Sequence, residues 1–127
     1  MSLESPLGKV LGAGSAKAGA HHWIAQRMTA VAMVPLGLWF LFSMVALDHG
    51  THSFVAAWVS QPQNGILLIL LVLTLLYHSA LGLQVIVEDY VHGALGYITL
   101  IAVKFLHVIL AVAAVYSVIV TSLGAGQ

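Results

Sequence analysis

His78 stands near the middle of an apolar run, and Asp89 follows eleven residues later, about 16 Å along a helix. At roughly 100° per residue, helical positions 78, 82, 85 and 89 fall within about 60° of one another, so one face reads His78, Gly82, Val85, Asp89. A neutral imidazole binds metal. A glycine one turn away leaves room beside it for a bulky planar ligand, and haem is a ligand of that shape. The plainer reading is a histidine packed on a neighbouring helix and hydrogen-bonded to a carbonyl or hydroxyl there. Both remain open on spacing alone.

Other polar residues carry similar pairs of readings. Glu88-Asp89-Tyr90 suits headgroup water and an aromatic belt. The same phenol can donate to a quinone carbonyl, while the carboxylate orients an Arg or relays protons. Arg27, with His21 and His22 ahead of it, is a snorkelling anchor or a fixed guanidinium for an anionic group. His107 is shallow if Lys104 marks the membrane interface. It is level with His78 if the last helix enters near Tyr97, in which case both histidines can serve one haem. Pro35 is expected to kink the first span.

The elements that must position these residues follow from composition. The 127-residue chain has four Lys or Arg, four Asp or Glu, 61% hydrophobic residues and no cysteine. A soluble domain typically carries about a quarter charged residues. So little charge excludes a water-soluble enzyme, a disordered tail and a nucleic-acid binder. The missing thiols exclude disulfides, zinc–thiolate sites and iron–sulfur ligation. Met28–Leu47, Gly65–Val87 and Phe105–Leu123 hold no Asp, Glu, Lys or Arg, and each is close to the roughly 20 residues a helix needs to cross a bilayer. The expected fold is an all-α integral membrane protein with three transmembrane helices, at about 25–47, 65–90 and 96–123. They form one domain, 25–124, after a flexible cytoplasmic segment, 1–24. The polar 48–64 loop suits an interfacial turn or short helix. Apolar content without period-2 alternation argues against a β-barrel.

Charge sets the expected orientation. Lys9, Lys17 and Arg27 precede the first span, and Lys104 lies at or just inside the start of the third. The 48–64 loop and the tail after Leu123 hold no Lys or Arg. The positive-inside rule then puts the N-terminus in the cytoplasm and the C-terminus in the periplasm.

Segment 14–38, with Ala-His21-His22-Trp-Ile-Ala-Gln-Arg27 and Pro35-Leu-Gly-Leu, resembles the start of the small hydrophobic membrane anchor subunit of succinate dehydrogenase. His78-Ser-Ala-Leu-Gly82, followed by Glu88-Asp89-Tyr90-Val91-His92, resembles that subunit's second-helix signature. The resemblance implies a helical bundle with a second membrane subunit, the cytochrome b chain, which supplies the other axial iron ligand. It implies His78 as this chain's ligand to the iron of haem b, Gly82 packing on the haem, and Arg27 and His21 near the propionates. It also implies Tyr90 hydrogen-bonded to ubiquinone, with Asp89 in support. His22 and His92 have no role in that pattern.

The implied function is that of a non-flavin subunit of succinate dehydrogenase (complex II), not catalytic alone. It would attach the flavoprotein and iron–sulfur subunits to the membrane and help form the ubiquinone site, in the respiratory chain and the tricarboxylic acid cycle. A fumarate reductase anchor using menaquinone, or a structural subunit of another respiratory complex, are the alternatives. An ion or multidrug transporter would need a mid-depth carboxylate, which no span has. The absence of an Arg- and Ser-rich extension favours the bacterial inner membrane over the mitochondrial one.

Overall fold

The structure is a computed structural model, and it describes residues 16–47 and 52–124. Four α-helices follow one another: α1, Ala16–Ala46; α2, His52–Ser60; α3, Pro62–Tyr90; and α4, Ala94–Gly124. No strand occurs among the described residues. Three helices are long and apolar enough to cross a membrane, over Gly19–Ala46, Pro62–Tyr90 and Ala94–Gly124. At about 1.5 Å per residue, each exceeds the roughly 30 Å of hydrocarbon.

The helices start earlier than hydropathy predicts. Residues 16–24, expected in a flexible segment, are the first turns of α1. Ala16, Ala18 and Ala20 favour the helix, and extending an existing helix adds one hydrogen bond per residue fixed. The rest of that segment, 1–15, lies outside the described residues. Likewise α3 and α4 begin at 62 and 94 rather than 65 and 96. Pro35 lies within α1, without interrupting it as a helix.

The α2–α3 corner is built by Gln61-Pro62. Gln61 is extended at φ −66°, ψ 123°, the conformation a following proline favours, and Pro62 opens α3 where its missing N–H costs nothing. Asn64 is buried here. Its Nδ2 donates to the Trp58 carbonyl (2.9 Å) and to Gln61 Oε1 (3.2 Å). Trp58 also stacks on Trp39 with centroids 5.7 Å apart, joining α2 to α1.

The α3–α4 turn is tighter. Val91 N–H closes on the Val87 carbonyl, Gly93 takes φ +71°, and Gly96 N–H donates to the Gly93 carbonyl. A Cβ on Gly96 would run into the Val91 carbonyl, so only glycine fits that position.

Helix α3 is the centre of the assembly. It packs on α1 and on α4, while α1 and α4 do not meet among the described residues. Buried apolar side chains are correspondingly few: Ala56, Val59, Leu81 and Val87. Large apolar side chains cover the outside of all three long helices, as expected of surfaces facing lipid or other membrane chains.

Candidate functional site

His78 is half-buried on the face of α3 that meets α1. Its Nδ1 lies 2.9 Å from Thr29 Oγ1, and its Nε2 lies 3.2 Å from Gln26 Nε2, both at hydrogen-bond distance. The Thr29 hydroxyl in turn donates back along α1, within 2.9 Å of the Ala25 carbonyl and 3.0 Å of the Gln26 carbonyl. Gly82 lies on the same side. A Cβ built there would have Gln26 Nε2, at 3.6 Å, as its neighbour.

The α1 side of this interface is a polar column. His22, Gln26 and Thr29 stand at i, i+4 and i+7, which is one helical face. Two of its atoms, His22 Nε2 and Gln26 Oε1, are buried and have no hydrogen-bond partner among the described residues. Buried polar atoms without partners are uncommon and costly. Their concentration beside His78 marks this interface as polar capacity held in reserve.

Arg27 does not open the first helix, as the sequence reading expected. It lies eleven residues into α1, about 16 Å from the helix start, at the level of Gln26 and therefore of His78. The cause is the early start of α1. The guanidinium is exposed and sits 4.5 Å above the Trp23 ring, a cation–π contact on the outer face of the helix. His21 is also exposed, and no hydrogen bond joins it to Arg27.

Asp89 and Tyr90 end α3, both exposed; Tyr90 keeps 80% of its surface open. The neighbouring Glu88 accepts from Gln84 Nε2 at 2.8 Å. A cavity of about 380 Å³ lies beside this helix end, lined by Glu88, His92, Gly93 and Tyr97 among others. His92 therefore has a place at the same end of the bundle. No hydrogen bond reaches the exposed Tyr90 hydroxyl among the described residues.

His107 is set differently. Its Nδ1–H donates to the Val103 carbonyl of its own helix at 2.7 Å, and Ser79 Oγ–H donates to its Nε2 at 3.2 Å. Helix α4 begins well before Lys104, so His107 does reach the level of His78, next to Ser79. The two imidazoles nonetheless face different helices, because residues 78 and 79 point about 100° apart on α3. The structure does not build a His78–His107 pair around one iron. Nor do three or more His, Asp or Glu side chains gather to hold a metal ion among the described residues.

Gln26 and Thr29 were not read from the sequence as site residues. Their signal was present in the i, i+4, i+7 spacing with His22 inside an otherwise apolar span.

A family model described as succinate dehydrogenase/fumarate reductase transmembrane subunit matches residues 1–120. The chain belongs to this family. Its similarity extends to a succinate dehydrogenase hydrophobic membrane anchor subunit of Rickettsia bellii (strain RML369-C), 38% identical over 111 residues, 87% of this chain and 89% of that one. A succinate dehydrogenase hydrophobic membrane anchor subunit of Rickettsia felis (strain ATCC VR-1525 / URRWXCal2) is 30% identical over 96 residues, covering 76% and 80%. A succinate dehydrogenase membrane anchor subunit of Reclinomonas americana is 36% identical over 81 residues, covering 61% and 67%. No solved structure matches. The resemblance read from the His78, Gly82, Asp89 and Tyr90 pattern is thus borne out at the level of the family.

Proposed function

We propose that this chain is the membrane anchor subunit of a succinate:ubiquinone oxidoreductase of the bacterial inner membrane. In this role it binds the iron–sulfur and flavoprotein subunits on the cytoplasmic side and pairs with a cytochrome b membrane subunit. The observation that carries the reading is the family match over nearly the whole chain, joined to a half-buried His78 whose Nε2 meets the Gln26 amide beside Gly82. The relatives named as succinate dehydrogenase anchors favour this over the fumarate reductase alternative.

The residues beside His78 fit haem b. A ring nitrogen accepts only an amide hydrogen bond, Gly82 adds no side chain, and the orphaned His22 Nε2 and Gln26 Oε1 can pair with a polar ligand edge. His78 would be this chain's axial ligand, with Arg27 and His21 toward the propionates and the second ligand from the partner subunit. When bound, the haem supplies a one-electron store within the membrane.

At the other end of α3, Tyr90 and Asp89 would serve ubiquinone. Reducing the quinone takes two electrons and two protons. The electrons come from succinate oxidation in the soluble subunits. The phenol donates a hydrogen bond to a quinone carbonyl, and Asp89, open to water, takes up and passes protons. Placing this helix end in the cytoplasm follows from the positive charges of α1 and Lys104.

Purification in mild detergent is the direct test: flavoprotein, iron–sulfur and cytochrome b chains should co-purify, and their absence would overturn the anchor reading. In the complex, Tyr90→Phe should lower succinate:quinone activity by about tenfold or more while leaving succinate oxidation by an artificial dye within about twofold. Equal loss of both would mean that Tyr90 acts through assembly.

A further inference from the structure

We propose that Thr29 is the positioning residue that prepares His78 for iron, by fixing which ring nitrogen carries the proton. The inference rests on the haem reading above and extends it to a residue on a different helix. A threonine hydroxyl has one proton. In Thr29 that proton is committed to the preceding turn of α1, where the Ala25 and Gln26 carbonyls stand 2.9 and 3.0 Å away. With the proton donated there, the oxygen offers His78 a lone pair, and Nδ1, 2.9 Å from it, is the protonated nitrogen in our proposal. A neutral imidazole has one N–H, which leaves the lone pair on Nε2. The amide hydrogen that Gln26 directs at Nε2 agrees with this assignment.

Iron takes an imidazole through its unprotonated nitrogen. An acceptor on the opposite N–H fixes the ring's rotation and strengthens it as a donor. Thr29 supplies that acceptor. No carboxylate or backbone carbonyl bonds Nδ1 among the described residues, so the task falls to this one hydroxyl. Gln26 occupies the other nitrogen at 3.2 Å, the longest contact in the network, and its own Oε1 is unpartnered. Iron binding at Nε2 requires the Gln26 amide to move aside.

The test compares Thr29→Val and Thr29→Ser in the purified complex. Measured quantities are haem b per complex, the low-spin electron paramagnetic resonance spectrum, and the haem midpoint potential. Valine keeps the shape and removes the acceptor; serine restores it. Expected is a full haem complement in Thr29→Ser, with a wild-type spectrum and potential. Thr29→Val should shift the spectrum and raise the potential, because a weaker donor stabilises ferric iron less. Haem lost from an assembled Thr29→Val complex and regained in Thr29→Ser would support the same conclusion. Wild-type spectrum and potential in Thr29→Val, or identical haem loss in both variants, would overturn it. A wild-type complex without haem b would overturn the haem reading itself, and the role of Thr29 with it.

Discussion

Helix α3 presents two histidine environments at one depth, and they differ in what they leave unused. On the α4 side, His107 has both ring nitrogens engaged, Nδ1 by its own helix at 2.7 Å and Nε2 by Ser79 at 3.2 Å. On the α1 side, His78 also has both ring nitrogens engaged, Nε2 at the same 3.2 Å by Gln26, but Gly82 lies alongside and His22 Nε2 and Gln26 Oε1 are buried without a partner among the described residues. An intramembrane histidine is expensive in either place. The first cost is offset locally, within two helices. The second is left partly open, which is what a residue awaiting a ligand requires.

The sharpest way to break this contrast is to remove each ring in turn. His78→Ala should abolish the haem b band in the reduced-minus-oxidised spectrum, while His107→Ala should keep it. Loss in both variants would make the two sides equivalent. A smaller effect is expected from filling the open side. Gly82→Leu, one turn from His78, should reduce haem content by about half or more through steric conflict, at an unchanged amount of assembled complex. Full haem content in that variant would mean the glycine is not part of the haem surface. The smallest effect belongs to Ser79→Ala. Losing one bond to His107 should cost about 1 kcal/mol in thermal or detergent stability and leave the haem spectrum untouched.

Much of this was readable from the chain. Three spans followed from apolar runs of membrane length, since lipid accepts a backbone only when it is fully hydrogen-bonded. His78, Gly82, Asp89 and Tyr90 were found by their spacing. The position of Arg27 was misread because nothing in Ala16–Ala25 marks a helix boundary: no proline or capping residue stands at residue 25. Gln26 and Thr29 escaped for a different reason. A helix's own periodicity says which residues share a face, and only the packing register says what that face meets. Asp89 and Tyr90 were named correctly as the end of α3, yet this chain alone gives them no neighbour to act on. The other wall of that site would come from the subunits proposed to surround it.

Helix α1 touches α3 and not α4, and this has a consequence for biogenesis. During synthesis α1 reaches the bilayer first, carrying His22, Gln26 and Thr29 on one stripe. Its match for that stripe, His78, arrives only after the connection to α3 and more than half of α3 have been made. The tight α3–α4 hairpin, by contrast, joins neighbours in sequence and can close as soon as it is inserted. The first helix must therefore be sheltered in the interval, by the insertion machinery or by another membrane chain, and docking it on α3 is the step that completes the pocket around His78.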